Sequence, residues 1–248
     1  MSQVPVPGVP VPQVPVPGPD AGRQKPWRLV DLSHVIDDGM ITYPGLPGPR
    51  ITTHVSRQES ARSLADGLSF EIAAIQMVAN TGTYLDAPLH YYAGRLDVTG
   101  LALDDLVDIP AIVIRASSRG SVSPELFPDA SKLTGCAVLI HTGHARLWGT
   151  EAYFKDSPYL GAEAVELLVA AGVRLVGIDS LNIDDPADVR RPAHKCLLGE
   201  GILIVEHLTA LENISGEPVW FTAIPVPVRG MGSFPVRAFA RVGSLAFG

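Results

Sequence analysis

Residues 161–179 set the strictest condition on the fold. Ala164, Leu167, Leu168 and Ala171 recur at helical spacing, and Gly172 stands where a helix C-cap calls for a left-handed residue. Residues 174–179 follow at once and are apolar enough for a strand covered on both faces, as parallel strands are. Helix, glycine stop and buried strand together form a crossover unit, which belongs to a layered α/β architecture. Further strands are expected at 28–33, 51–55, 110–116, 137–141, 202–206, 219–224 and 236–240, with short helical turns at 101–107 and 124–133. The stretch 70–78, rich in β-branched and apolar residues, reads as a largely buried strand.

Composition narrows the class. A chain of 248 residues with 46% hydrophobic content can bury a full core without structural metals or disulfides. A net charge of −7 argues against a phosphate-binding surface and so against nucleic acid as a partner. No apolar run approaches the ~20 residues that cross a bilayer, and the start lacks the basic-then-apolar pattern of a secretory signal. A cytoplasmic location is therefore expected, with Cys136 and Cys196 as buried thiols rather than a disulfide. Residues 1–25 repeat Val-Pro-Val-Pro-Gly and are expected to form a disordered tail, leaving 26–248 as one catalytic domain.

Chemistry concentrates at 80–90. Asn80, Tyr84, Asp86 and His90 fall within one short stretch after an expected strand, with Gly82 to permit a tight turn and Pro88 to stiffen the exit. Rigid polar loops at strand ends are where chemistry is usually mounted. His34 and Tyr43 precede it in a Gly/Pro-rich region, and 57–66 is polar enough to serve as a cover. His141 and His144 end one expected strand and Asp179 and Ser180 another, where ligands gather in α/β sheets. The acidic run 184–188 reads as a solvated turn, and 229–232 is too short for a nucleotide fingerprint.

The run Gly82-Thr83-x-Leu85-Asp86-Ala87-Pro88-x-His90 resembles the signature loop of the cyclase family, which includes bacterial kynurenine formamidases and isatin hydrolase. Asp31-Leu32-Ser33-His34, Trp148-Gly149-Thr150-Glu151, Gly177-Ile178-Asp179-Ser180, and His194 with Gly201-Ile202-x-Ile204-x-Glu206 resemble its other blocks in order, from about Trp27 to Ala246. The resemblance implies a mixed-sheet, swivelling β/β/α fold, a homodimer or homotetramer, and a small-molecule substrate. It also implies a metal-dependent hydrolase. In that family Asp86 would be a ligand, His194 and Glu206 would complete a metal position, and His90 would be the acid/base. The family pattern His-x-Gly-Thr-His has its two histidines at Asn80 and Tyr84, both weaker metal donors.

Two states of the site follow. A single divalent ion, zinc or manganese, would be held by Asp86, His194 and Glu206. In the metal-free state, which is favoured here, Asn80 and Tyr84 polarise a carbonyl while Asp86, Glu206 and His90 move protons. The expected activity is hydrolysis of an amide, lactam or lactone carbonyl, arylformamidase-like. The alternatives are a metal-independent cyclase, lyase or isomerase of specialised metabolism, and a non-catalytic ligand-binding protein.

Overall fold

The strand pattern resolves into one large sheet with a covered parallel centre. The computed structural model describes residues 27–116, 119–214, 216 and 218–243; the tail expected at 1–25 lies outside them. The first half of the chain contributes β1 (Trp27–Asp31), β2 (Arg50–Val55), α1 (Arg57–Ser60), β3 (Ile72–Gln76), β4 (Tyr84–Asp86), β5 (Ile109–Arg115) and β6 (Ser121–Val122). Then come α2 (Ala130–Leu133), β7 (Ala137–His141), β8 (Tyr159–Leu160), α3 (Ala162–Ala171), β9 (Leu175–Ile178) and α4 (Pro192–Gly199). The chain finishes with β10 (Leu203–Glu206), β11 (Val219–Thr222), β12 (Ser233–Pro235) and β13 (Phe239–Gly243).

Nine strands form the main sheet in the order β1-β13-β11-β5-β7-β9-β10-β4-β12. The centre, β5-β7-β9-β10, is parallel, and both flanks are antiparallel. Period-two alternation sorts each central strand between two cores. Val138 and Ile140 of β7, Val176 and Ile178 of β9 and Ile204 of β10 pack with Ala164, Leu168, Ala193 and Leu197 of α3 and α4. Leu139, Leu175, Leu203 and Val205 face the opposite side with Phe221 and Ala240. Both faces are therefore buried, which is why these strands read as unbroken apolar runs. The crossover unit is present as expected: α3 ends at Gly172 and β9 follows.

Three expectations need correction. β3 is not buried; every residue of it is exposed. It pairs only with β2, as a two-stranded ribbon outside the main sheet. Its β-branched residues specify extended backbone, and burial needs a facing layer that the ribbon lacks. Cys196 is exposed and Cys136 only partly covered, although both are free thiols. Cys196 falls on the outer side of α4, away from the core formed by Ala193, Leu197 and Leu198. The expected strand at 236–240 begins only at Phe239, in β13, because residues 236–238 carry the chain from β12 at one edge of the sheet to β13 near the other.

Candidate active site

Register brings the carboxylates together. β4 lies between β10 and β12, with Tyr84 opposite Glu206, and Asp86 between Ile204 and Ser233. Directly opposed residues of an antiparallel pair share a face, so Tyr84, Asp86 and Glu206 converge on the side that carries α4. Gly82 turns the chain into β4 at φ 65°, where a Cβ would also stand 3.0 Å from Ile36 Cγ1. A one-turn 3-10 helix, Pro88–His90, then swings His90 over Asp86. Gly232 lets the neighbouring backbone come close, since a Cβ there would lie 2.6 Å from His90 Cα.

His194 enters from α4, and its holder is Asp184. Asp184 accepts from the backbone N–H of Ala193 at 2.6 Å and of His194 at 3.1 Å, and from His194 Nδ1 at 2.6 Å. The solvated-turn reading of 184–188 fails at this residue: Asp184 is unexposed and carries both the helix start and the ring. With Nδ1–H pinned, His194 Nε2 points at Asp86 Oδ2, 3.7 Å away, and Glu206 Oε1, 3.8 Å away. Burial by itself would lower this imidazole's pKa. The hydrogen bond to Asp184, with the nearby carboxylates of Asp86 and Glu206, more than offsets that and holds it up to about 10.

Glu206 accepts from Tyr84 Oη at 2.5 Å and from the Ile183 N–H at 2.6 Å. Burial, opposed by His194 and reinforced by Asp86, raises its carboxyl to about 7. The Tyr84 hydroxyl has one proton, and here it goes to Glu206, so it is not available to polarise a substrate carbonyl. Burial and the neighbouring carboxylates push the phenol well above its ordinary pKa, and a hydrogen bond from Asn80 pulls the other way. Asn80 therefore braces Tyr84, which orients Glu206.

Ser233 links Asp86 to His90. Its hydroxyl donates to Asp86 Oδ1 and so accepts from His90 Nδ1 at 3.0 Å. That tautomer leaves the lone pair of His90 Nε2 facing the centre. Asp86 Oδ2 is buried with no hydrogen-bond partner among the described residues. Asp86, His90 and His194 each offer a ligand atom within 4.8 Å of the others. This group differs by one member from the expected ligand set, with His90 in place of Glu206.

The remaining candidates lie elsewhere. His144 is buried against the Tyr153 carbonyl, and His141 sits beside Glu212. Asp179 closes the turn at Thr142 and Gly143, and Ser180 bonds the Pro158 carbonyl. His34 stacks on Trp148 with ring centroids 4.0 Å apart. Tyr43 reaches Arg191 rather than the carboxylates. The 57–66 segment begins as a helical turn closed by a Ser56–Glu59 capping box. Ser233, Asp184 and Tyr91, whose ring stacks 4.9 Å from that of His194, were not foreseen. Neither Asp184 nor Ser233 carries a local signal: the N-cap position of α4 is Arg191, well after Asp184 in sequence, and Ser233 meets Asp86 only through strand pairing.

A family model described as "Putative cyclase" matches residues 30–185. The chain is also 30% identical over 217 residues to a kynurenine formamidase of Geobacillus thermodenitrificans, covering 87% of this chain and 97% of that one. The chain belongs to the cyclase family. A kynurenine formamidase of Salinibacter ruber is 28% identical over 213 residues, covering 86% of this chain and 97% of the relative. Among solved structures, isatin hydrolase A from Labrenzia aggregata superposes with a TM-score of 0.76 at 22% identity, over 88% of this chain and 95% of that one. A potential metal-dependent hydrolase with cyclase activity superposes with a TM-score of 0.68 at 25% identity, over 88% and 99%. The mixed α/β fold expected from the sequence is thus the family's fold.

The donor set of this member suits one divalent ion. Asp86 Oδ2 has no partner among the described residues, and His194 Nε2 is aimed at it by the carboxylate behind the ring. A second position built on residues 80 and 84 would meet an amide and a phenol whose proton is already committed.

Proposed function

We propose that this chain is a hydrolase of a non-peptide C–N or ester bond, formamidase-like, acting on an amide, lactam or lactone carbonyl. The observation that carries the reading is the convergence of Asp86, His90 and His194 within 4.8 Å, with Glu206 alongside. The kynurenine formamidase relatives and the metal-dependent hydrolase of like fold support it. Asp86, His194 and Glu206 would hold one divalent ion, zinc or manganese. Bound there, such an ion supplies charge to polarise a carbonyl and to acidify water.

The chain's own groups handle the protons. His90 Nε2, with its lone pair fixed inward through Ser233, takes a proton from the attacking water as the oxygen bonds to the carbonyl carbon. The protonated ring then returns that proton to the departing nitrogen of an amide or lactam as the C–N bond breaks, giving an acid and an amine, or to the departing oxygen of a lactone as the C–O bond breaks, giving an acid and an alcohol. His90 suits this role because its side chain is 30% exposed and can meet a substrate, whereas His194 is 4% exposed. Tyr84, braced by Asn80, holds Glu206 in one orientation throughout.

His90→Ala is expected to cost about 10²–10⁴ in kcat with the unfolding temperature nearly unchanged. Wild-type turnover of N-formylkynurenine, isatin and simple lactones by that variant would sink the assignment. Exhaustive chelation should abolish turnover, and one equivalent of zinc or manganese should restore it. Full activity after chelation, together with deuterium uptake into a recovered ketone, would instead favour the metal-independent enolising reading.

Assembly as a homodimer or homotetramer belongs to this proposal. The exposed β2-β3 ribbon carries Ile51, Ile72 and Ile75 at 41%, 46% and 52% exposure, and a lone two-stranded ribbon is marginal in water. Light scattering that reports a monomer at micromolar concentration would remove it.

A further inference from the structure

Arg190 and Arg191 are neighbours that spend their charge differently. Arg190 is gripped by Asp188, with Nε at 2.9 Å and Nη2 at 2.8 Å, and stands in solvent. Arg191 forms no ion pair among the described residues. Its Nη1 donates to Asn182 Oδ1 at 3.2 Å and the Asp185 carbonyl at 3.5 Å, and its Nη2 to the Pro186 carbonyl at 3.3 Å. The Tyr43 side chain is a further hydrogen-bond partner. All four partners are neutral. They orient the guanidinium without cancelling its charge.

The backbone shows what this placement costs. Arg191 sits at φ 48°, a left-handed conformation that long side chains avoid, immediately before the proline that starts α4. Such strain persists where surrounding structure demands it. The result holds a partly exposed cation just ahead of His194 in sequence, near enough to feel Asp184 and the Tyr91 hydroxyl. Tyr91, 40% exposed and stacked on His194, is the outer wall of the centre. The interior behind it holds Asp86, Asp184 and Glu206 and would repel an anion. A guanidinium at this rim offsets that field and has planar donors matched to a carboxylate.

We propose that Arg191, with the Tyr43 side chain bonded to it, forms an anion subsite at the mouth of the Asp86–His90–His194 centre, where Tyr91 is the outer wall, and selects substrates that carry a carboxylate near the scissile carbonyl. This rests on the hydrolase reading and adds the substrate class. A purely structural Arg191, tying the 182–186 turn to α4, would affect all substrates alike.

The test uses a matched pair, 2-formamidobenzoate and formanilide, which share the aryl formamide bond and differ by one carboxylate. In the full-length, metal-loaded protein, Arg191→Gln should lower the ratio of kcat/KM for the anionic over the neutral substrate by about tenfold or more. Arg191→Lys should restore part of the ratio, and Arg190→Gln should leave it unchanged. An unchanged ratio in Arg191→Gln, or an equal fall in Arg190→Gln, overturns the subsite. Calorimetry with 2-aminobenzoate separates the two claims should the wild type turn over neither substrate. In that case hydrolysis fails, while binding that weakens about tenfold in Arg191→Gln keeps the subsite. Equal binding, or none to the wild type, removes it.

Discussion

His194 and His207 are both shut off from solvent, at 3% and 0% exposure, yet one is held cationic and the other neutral. Around His194 stand three carboxylates, and its imidazole is held protonated up to about 10. Around His207 stand rings: Tyr84, Trp148 and Tyr153, whose hydroxyl meets Nδ1 at 2.8 Å. Burial, with help from the nearby His34, brings His207 down to about 3, and burial likewise brings His34 down to about 4. Burial opposes charge on both imidazoles. Only the one facing carboxylates keeps it, because at short range several negative groups outweigh lost hydration. The lesson for the site is that His194 works as a cation or as a donor to one, whereas the His34–His207 side is a neutral wall.

The sharpest way to break this contrast is Asp184→Asn. It removes the charge behind His194 and loosens the acceptor of two helix N–H groups. Turnover should fall about 10–100-fold, as when the carboxylate behind a ligand imidazole is lost. In chelator-treated protein the His194 ring should titrate below about 10, followed by its NMR shift. An unchanged titration would mean that Asp86 and Glu206 suffice.

Gly232→Ala should have a smaller effect and act on geometry alone. The new Cβ meets the His90 backbone at 2.6 Å, so His90 must shift away from Ser233. A 1 Å displacement of a catalytic group costs up to ~10²-fold, so a fall of roughly tenfold in kcat is expected, with KM little changed. A KM effect without a kcat effect would place His90 outside the chemistry.

The gentlest prediction concerns pH and stability in chelator-treated protein. His194, raised to about 10, contributes stability fully below its ordinary pKa near ~6.5, and that contribution fades as pH climbs through about 10. Glu206, raised to about 7, adds a loss between the ordinary carboxyl range and about 7. His207 acts in the other direction. Its neutral ring contributes fully above ~6.5, and the contribution is lost as pH falls towards about 3. His207→Phe should therefore flatten the acid limb of the unfolding-temperature profile and Asp184→Asn the alkaline limb. If both variants moved the same limb, the two histidines would not differ as described.

Local pattern carried a large part of this architecture. The α3–Gly172–β9 unit and the apolar strands β7 and β10 were readable because periodicity and glycine chemistry act within a few residues. Asp86, His90, His194 and Glu206 were readable through motif order. The strand at 72–76 is legible in its composition but its exposure is not, because composition reports strand-forming tendency and says nothing of which layer faces it. The role of Asp184 is not legible, because an acidic turn in solvent and a capping carboxylate look alike until the helix it caps is placed.

What the linear order of residues settles here is the kind of backbone each segment adopts and which chemical groups are to hand. The three-dimensional packing alone decides which of them meet. Ser233 joins Asp86 across 147 positions, and Tyr84 donates a hydrogen bond to Glu206 across 122. The physical reason is that protonation and hydrogen-bond choice depend on the summed field and the distances of all neighbours, which strand register and helix docking set and no local stretch encodes.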